Sequence, residues 1–247
     1  MKSTVHAIIQ ARCGSSRFPA KVFALIDGKP LLWHVVNRLK GAETLSKIII
    51  ATTTNPLDDK IVEWCEKEHV DYFRGSESDV LERYYMASHA FPSDYVVRIT
   101  ADDPFKEPVV IDSVVNKLID EHLDAVTNNN PPSFPEGLDC EAFTSAALQK
   151  AQSEAKDAFE REHVTQYFYR HPELFKLGNV SCDKQLSHLR WTIDKQVDLE
   201  MVNAVYAHRA EANKGMMLHM QEILQILEQT PEICQINASV ERSAMYN

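Results

Sequence analysis

Short apolar runs alternate with amphipathic segments along most of this chain, and that rhythm constrains the fold more than any other feature. Val5 to Ala11 and Lys47 to Thr53 are compact runs rich in Ile and Val, which predict buried strands. Between them Pro30 opens a segment in which Leu31, Leu32, Val35, Val36 and Leu39 keep helical spacing, and Gly41 closes it. Asn55-Pro56 supplies the cap and first position of a second helix reaching about Glu68. The series continues with a strand at Val70 to Phe73, a helix at Ser78 to Ala90, a strand at Asp94 to Thr100, a helix at Pro108 to Glu121 and a strand at Leu123 to Thr127. Alternation at this spacing implies βαβ units, hence an α/β fold of three layers with a mainly parallel twisted sheet between two layers of helices.

The second half is less regular. Asn128 to Gly137 holds three Asn and three Pro and predicts a long surface loop near a site. Beyond it the pattern predicts strands at Leu138 to Phe143, near Phe175 to Val180 and at His188 to Ile193, with helices at Asp157 to Tyr169 and Val197 to Ala210. A last apolar helix, Met216 to Leu227, would be sticky if uncovered and should pack on the core or on a second subunit. The polar tail from Thr230 to Asn247 is expected to be mobile. No linker composition divides the chain, so residues 1–247 are expected to form a single domain with a C-terminal helix and tail from about 213.

Composition removes several function classes. With 26 Lys and Arg against 36 Asp and Glu the formal charge is −10, which argues against a nucleic-acid partner. Five cysteines stand too far apart for a C-x-x-C pair or a zinc-ligand spacing and predict reduced, buried thiols. No stretch approaches the ~18 apolar residues of a membrane span, and the first apolar run is too short for a signal peptide, so a cytoplasmic protein is expected. Only seven residues are glycine, and no two are placed to spell either of the commonest glycine-rich nucleotide loops.

One segment nevertheless has the chemistry of a polyphosphate cradle. Ala11-Arg12-Cys13-Gly14-Ser15-Ser16-Arg17-Phe18-Pro19-Ala20-Lys21 follows the first strand and carries three cations around a Gly-Ser-Ser turn. Backbone amides and hydroxyls of such a turn can donate to phosphate oxygens, while Arg12 and Arg17 offer forks and Lys21 a point charge. Gly14 is expected to allow the tight turn. On charge alone, a solvated surface loop is an equal reading.

The segment resembles the R-x-G-S-x-R-x-P-x-K loop of the cytidylyltransferases that make CMP-activated acidic sugars, in the Gln-Ala-Arg form of the spore-coat-polysaccharide branch. The resemblance extends through Gly28-Lys29-Pro30-Leu31, Gly75-Ser76-Glu77-Ser78-Asp79-Val80-Leu81-Glu82-Arg83-Tyr84, Thr100-Ala101-Asp102-Asp103-Pro104, Gly137-Leu138-Asp139, Glu162-His163-Val164 and Arg190-Trp191-Thr192-Ile193-Asp194, about residues 5 to 205. It implies the Rossmann-like fold of nucleotide-diphospho-sugar transferases. It also implies transfer of a cytidylyl group from CTP to a sugar, an acidic one in this family, with release of pyrophosphate, for surface polysaccharide synthesis. Mg²⁺ as cofactor and a homodimer are implied by the same resemblance.

The family pattern, a small residue, Asp, any residue, Pro, selects Asp102 as one metal ligand and leaves Asp103 as the variable position; Asp194 matches the second. Read without the family, Asp102 and Asp103 could form a turn before the Pro108 helix, and Asp194 could cap the helix near Val197. The catalytic set implied is Arg12, Lys21, Asp102 and Asp194, with Ala11, Gly14, Ser15, Ser16, Arg17, Arg74 and Ser76 around the nucleotide. Glu136, Asp139 and Glu141 would face the sugar, or form a charged turn into an edge strand. Glu162 and His163 sit on an amphipathic helix, where a lone His is more often structural than a ligand. Two rivals stand beside this reading: a sugar-phosphate nucleotidyltransferase using another nucleoside triphosphate, and a catalytically silent subunit that binds a nucleotide sugar.

Overall fold

The computed structural model describes residues 3–15, 17–209 and 217–241. Strands β1 (Val5–Gln10), β4 (Lys47–Thr53), β5 (Asp71–Gly75) and β6 (Tyr95–Thr100) run parallel. With β7 (Ala125–Thr127), β8 (Glu141–Thr144) and β9 (Leu177–Asn179) they form a seven-stranded sheet in the order β5-β4-β1-β6-β8-β7-β9, in which β8 is antiparallel to both neighbours. A two-stranded ribbon, β2 (Leu25–Ile26) with β3 (Lys29–Pro30), lies apart from it. The α/β class and mainly parallel sheet are as the alternation predicts.

Both faces of the sheet are covered, which explains why β1 reads as continuous apolar residues. Ala7 and Ile9 point into one buried cluster with α1 (Leu31–Leu39), α4 (Pro108–Asp120) and α8 (Gln196–Ala207). Ile8 points into the opposite cluster with α3 (Val80–Ala90), α5 (Ser145–Glu154) and α7 (Gln166–Arg170). Helix α2 (Asp59–Glu68) adds Ile61 and Cys65 to the first cluster.

Several expectations need correcting. Residues 128–137 are mostly buried rather than a surface loop. The Asn128 side chain donates to Leu138 O and accepts from Cys140 N at 2.8 Å each, so it serves the backbone as a strand partner would. His188 to Ile193 is not a strand, because its neighbour is that irregular segment: Glu136 N donates to Leu189 O and Trp191 N to Glu136 O, a single bridge. The helix expected from Asp157 to Tyr169 is broken into α6 (Ala158–His163) and α7 at Val164, whose φ of 58° cannot continue a helix and whose side chain is fully buried. Helix α5 escaped the sequence pattern because it buries only Ala147, Leu148 and Ala151, too small a stripe to stand out.

The C-terminal region is docked. Leu218, Ile223 and Leu227 of the segment containing α9 (Met220–Gln229) are buried in the first cluster. Part of the expected mobile tail forms α10 (Glu232–Gln235), and Asn237 donates to Asp198 and to Arg190 O. Residues 210–216 and 242–247, where the expected helix start and tail end fall, lie outside the described residues.

Strand register determines where the loops gather. Gln10 pairs with both Ala51 and Thr100, so β1, β4 and β6 end level and deliver their loops to one edge. Ligands of open α/β sheets bind at this edge, beyond the carboxyl ends of the strands.

Candidate active site

A cleft of about 370 Å³ opens at that edge, and its walls are the loop after β1, the turn after β6, the segment between β7 and β8, the end of α6 and the residues around Asp194. Ala11, Arg12, Gly14, Ser15, Arg17, Lys21, Asp102, Asp194, Glu136, Asp139, Glu141, Glu162 and His163 all line it. Ser16 lies outside the described residues.

The loop after β1 is held from below. Asp58, almost fully buried, accepts from Cys13 N at 2.6 Å and from the Thr53 hydroxyl, while Ser15 N and Ala20 N both donate to Cys13 O at 2.9 Å. The left-handed residue in this turn is Ala20, φ 52°, and not Gly14, whose added Cβ would meet only the Glu77 carboxylate at an ordinary 3.5 Å. The expectation that Gly14 permits the turn is therefore wrong. What the turn needs falls on Ala20, one residue before the Lys21–Phe23 helical turn.

Lys21 is the centre of the geometry. Its Nζ donates to Asp102 Oδ2 at 2.9 Å, to Asp194 Oδ1 at 2.9 Å and to Ile193 O at 2.8 Å. Burial opposes the charge on Lys21, but the two carboxylates outweigh it and raise its pKa. Burial likewise opposes ionisation of Asp102, yet the Lys21 ammonium prevails and holds that carboxyl at about 2. The two aspartates meet because Ile193 N donates to Asp102 O at 2.9 Å, tying the turn after β6 to the chain before α8. Arg17 reaches Asp194 from the solvent side at 3.0 Å, and Arg12 is half-exposed near Glu77.

Asp103 behaves otherwise. It is buried, accepts from Thr100 Oγ1 and pairs with the buried Lys106 at 2.8 Å. Burial pushes its carboxyl pKa up, Lys106 opposing. Its neighbour Asp102 turns to the cleft, a quarter exposed.

Arg190, which the sequence reading did not select, links three carboxylates. It pairs with Glu136 at 2.9 Å, Asp194 at 3.2 Å and Asp198 at 2.9 Å. Asp198 is fully buried and also accepts from Asp194 N and Lys195 N. Burial works against its charge, but Arg190 and the amides hold its pKa down. Gly137 lets this wall close: its φ is +105°, and a Cβ there would stand 2.8 Å from Thr192 N.

Arg74 and Ser76 do not line the cleft. Arg74 donates to Thr53 O and Asn55 O and pairs with Asp59, bracing the loop after β4. Ser76 Oγ accepts from Asp79 N at the start of α3. Gln10, Arg83, Arg98, Thr100 and Thr192 do line it and were missed. Arg83 and Arg98 sit inside an apolar helix stripe and an apolar strand, where sequence gives no sign of which way they point.

Among the described residues no three His, Cys, Asp or Glu form a metal-binding group. Asp102, Asp194 and Ile193 O nevertheless converge as hard oxygen donors on one cationic point, now the Lys21 ammonium. That donor set fits Mg²⁺, which takes one or two carboxylates and fills its other positions with water and substrate phosphates.

A sequence model of the cytidylyltransferase family matches residues 6–243. An uncharacterized protein of Methanocaldococcus jannaschii is 37% identical over 242 residues, 97% of each chain. The spore coat polysaccharide biosynthesis protein SpsF of Bacillus subtilis is 29% identical over 96% of this chain and 97% of its own. Among solved structures, a cytidylyltransferase from Leptospira borgpetersenii serovar Hardjo-bovis superposes with a TM-score of 0.88 at 28% identity, covering 99% of this chain and 100% of the other.

Proposed function

The chain belongs to the cytidylyltransferase family, and from that premise we propose that it activates a sugar with CTP, releasing pyrophosphate and leaving a CMP-sugar for surface polysaccharide synthesis. The observation that carries the reading is Lys21 Nζ, held at 2.9 Å from both Asp102 and Asp194 at the mouth of the β1 loop. In this reaction an acceptor oxygen forms a bond to the α-phosphorus as the bond to pyrophosphate breaks, and the hydroxyl proton passes to solvent. Catalysis of such a transfer is mainly positioning and charge stabilisation.

In this reading Arg12 and Arg17 bind the triphosphate from the solvent side, with amides of the Gly14–Ser15 turn as further donors. Lys21 exchanges part of its contact with the two aspartates for phosphate oxygens and stabilises the charge that builds on the leaving pyrophosphate. Asp102 and Asp194 would hold Mg²⁺, which would supply positive charge at the phosphates and lower the pKa of a coordinated hydroxyl. Glu136, Asp139, Glu141, Glu162 and His163 orient the acceptor. The family resemblance implies an acidic acceptor, whose carboxylate would need a cation at that end of the cleft. A homodimer and a cytoplasmic location belong to the same proposal; no helix among the described residues is long and apolar enough to cross a membrane.

The test is pyrophosphate release with each of the four nucleoside triphosphates against nonulosonic acids, octulosonic acids, neutral and amino sugars, and sugar phosphates. Release with CTP and a sugar supports the reading. A preference for another nucleotide with a sugar phosphate would favour the first rival, and binding without release for any pair would favour a silent subunit.

A further inference from the structure

The three oxygens that suit a divalent cation are the three that hold Lys21. Lys21 Nζ has three protons to give, and it gives them to Asp102 Oδ2 at 2.9 Å, Asp194 Oδ1 at 2.9 Å and Ile193 O at 2.8 Å. Asp194 is engaged twice more, by Arg17 on the same Oδ1 at 3.0 Å and by Arg190 on Oδ2 at 3.2 Å. An ammonium and a dication repel strongly at contact distance, so one set of oxygens serves one of them at a time.

The other carboxylates lining the cleft are committed elsewhere. Glu136 is bound by Arg190 at 2.9 Å, Asp103 by Lys106 at 2.8 Å and Glu141 by Arg98 at 2.6 Å, while Asp139 lies within the field of Lys106. Glu162, exposed on α6, belongs with His163 to the Arg98 end. The remaining cations of the cleft, Arg12 near Glu77 and the buried Arg83, which donates to Ser76 O, offer Lys21 no acceptor and add positive charge on the nucleotide side. A triphosphate brings the acceptors that this wall lacks. It can take Lys21, whose four-carbon stem swings without backbone movement, together with the exposed Arg17. Arg190 stays, because the fully buried Asp198 holds it at 2.9 Å.

We propose that Lys21 closes the metal site of the nucleotide-free protein. The phosphates of CTP enter first and draw Lys21 and Arg17 onto themselves, and only then do Asp102, Asp194 and Ile193 O become open to a divalent cation. The proposal rests on the cytidylyl-transfer reading and adds to it an order of assembly, nucleotide before metal.

Two binding measurements, neither of them activity, test it. Mn²⁺, followed by loss of its free electron-paramagnetic-resonance signal, is titrated into nucleotide-free protein, and CTP is titrated by calorimetry in EDTA and in Mg²⁺. Lys21→Met should bind Mn²⁺ about tenfold or more tightly than the unaltered protein, a gain that a merely structural role for Lys21 would not produce. Lys21→Gln repeats the comparison should Lys21→Met fail to fold, folding being read from Tm. Adding Asp102→Asn to either variant should abolish the gain, which puts the ion on these oxygens. CTP should bind the unaltered protein in EDTA within about tenfold of its affinity in Mg²⁺, because Lys21 and Arg17 take its phosphates without help from a metal. Equal Mn²⁺ affinity with and without the Lys21 ammonium, a gain that survives Asp102→Asn, or CTP binding that appears only with Mg²⁺ overturns the order of assembly and leaves the cytidylyl-transfer reading standing. Absence of CTP binding in both EDTA and Mg²⁺ overturns that reading and the order with it.

Discussion

The Lys21 ammonium and the Asp102 carboxylate face each other at 2.9 Å across a sequence distance of 81 residues. Three loops have to be placed for this contact: the turn after β1, the turn after β6 and the chain before α8. Backbone hydrogen bonds and the buried Asp58 and Asp198 carboxylates hold these loops, so the charged groups are positioned before any substrate arrives.

Lys21→Met should leave a folded protein whose kcat and kcat/KM fall together by about 10²–10³, because the lost interaction strengthens as pyrophosphate departs. Steady-state pyrophosphate release across a range of CTP concentrations checks this. A rise in KM with kcat unchanged would restrict Lys21 to holding ground-state CTP.

Asp103→Asn separates the two adjacent aspartates. It leaves the buried Lys106 facing a neutral group and should cost about 3 kcal/mol of stability, read as a lowered urea midpoint, while the ratio of kcat/KM to the unaltered enzyme stays within about threefold under fully folded conditions. A large activity loss without a stability loss would place Asp103, rather than Asp102, in the chemistry.

Arg190→Met removes the partner of Glu136, Asp194 and the fully buried Asp198. We expect destabilisation of about 3–5 kcal/mol, and denaturant unfolding checks it. A near-normal midpoint would mean that Asn237 and the amides of Asp194 and Lys195 satisfy Asp198 alone.

The histidines set an acid limit. His6, His34 and His163 are pushed below the ordinary 6.5 chiefly by burial. As pH falls through about 6.5 the unfolded chain takes up protons that the folded chain refuses, so stability declines, and the decline ends once pH passes below the folded-state values. Tm measured from pH 7.5 to 5 should fall, and His34→Gln, which keeps a polar group near Ile26 O, should flatten the slope. An unchanged slope in that variant would mean that His34 does not set the limit.

Much of the fold was legible because the strands nearest the centre are covered on both faces and therefore read as unbroken apolar runs. Lys47 to Thr53 was placed with its observed limits, Asn55-Pro56 marks a real helical start, and the helix expected from Ser78 begins at Val80 with Asp79 as its cap. Legibility failed where backbone groups are satisfied by something other than regular neighbours. The 128–137 segment is buried through Asn128, the 188–193 segment pairs with it instead of with a strand, and Val164 breaks a helix that amphipathic spacing alone would continue. In the site, loop residues with a motif could be picked out, and the cleft brings the described ones together except Arg74 and Ser76. Arg98, Arg83 and Arg190 could not, because a cation inside an apolar run shows its role only when its buried partner is known.

Whether Asp102 serves the chemistry itself is decided by the rate of pyrophosphate release from bound CTP in Asp102→Asn, measured in one turnover with saturating Mg²⁺ and acceptor, beside CTP affinity in the same variant. Release should slow by about 10³ or more with CTP affinity changed by less than about tenfold. Release within about threefold of the unaltered enzyme would contradict the role given to the Lys21–Asp102–Asp194 cluster.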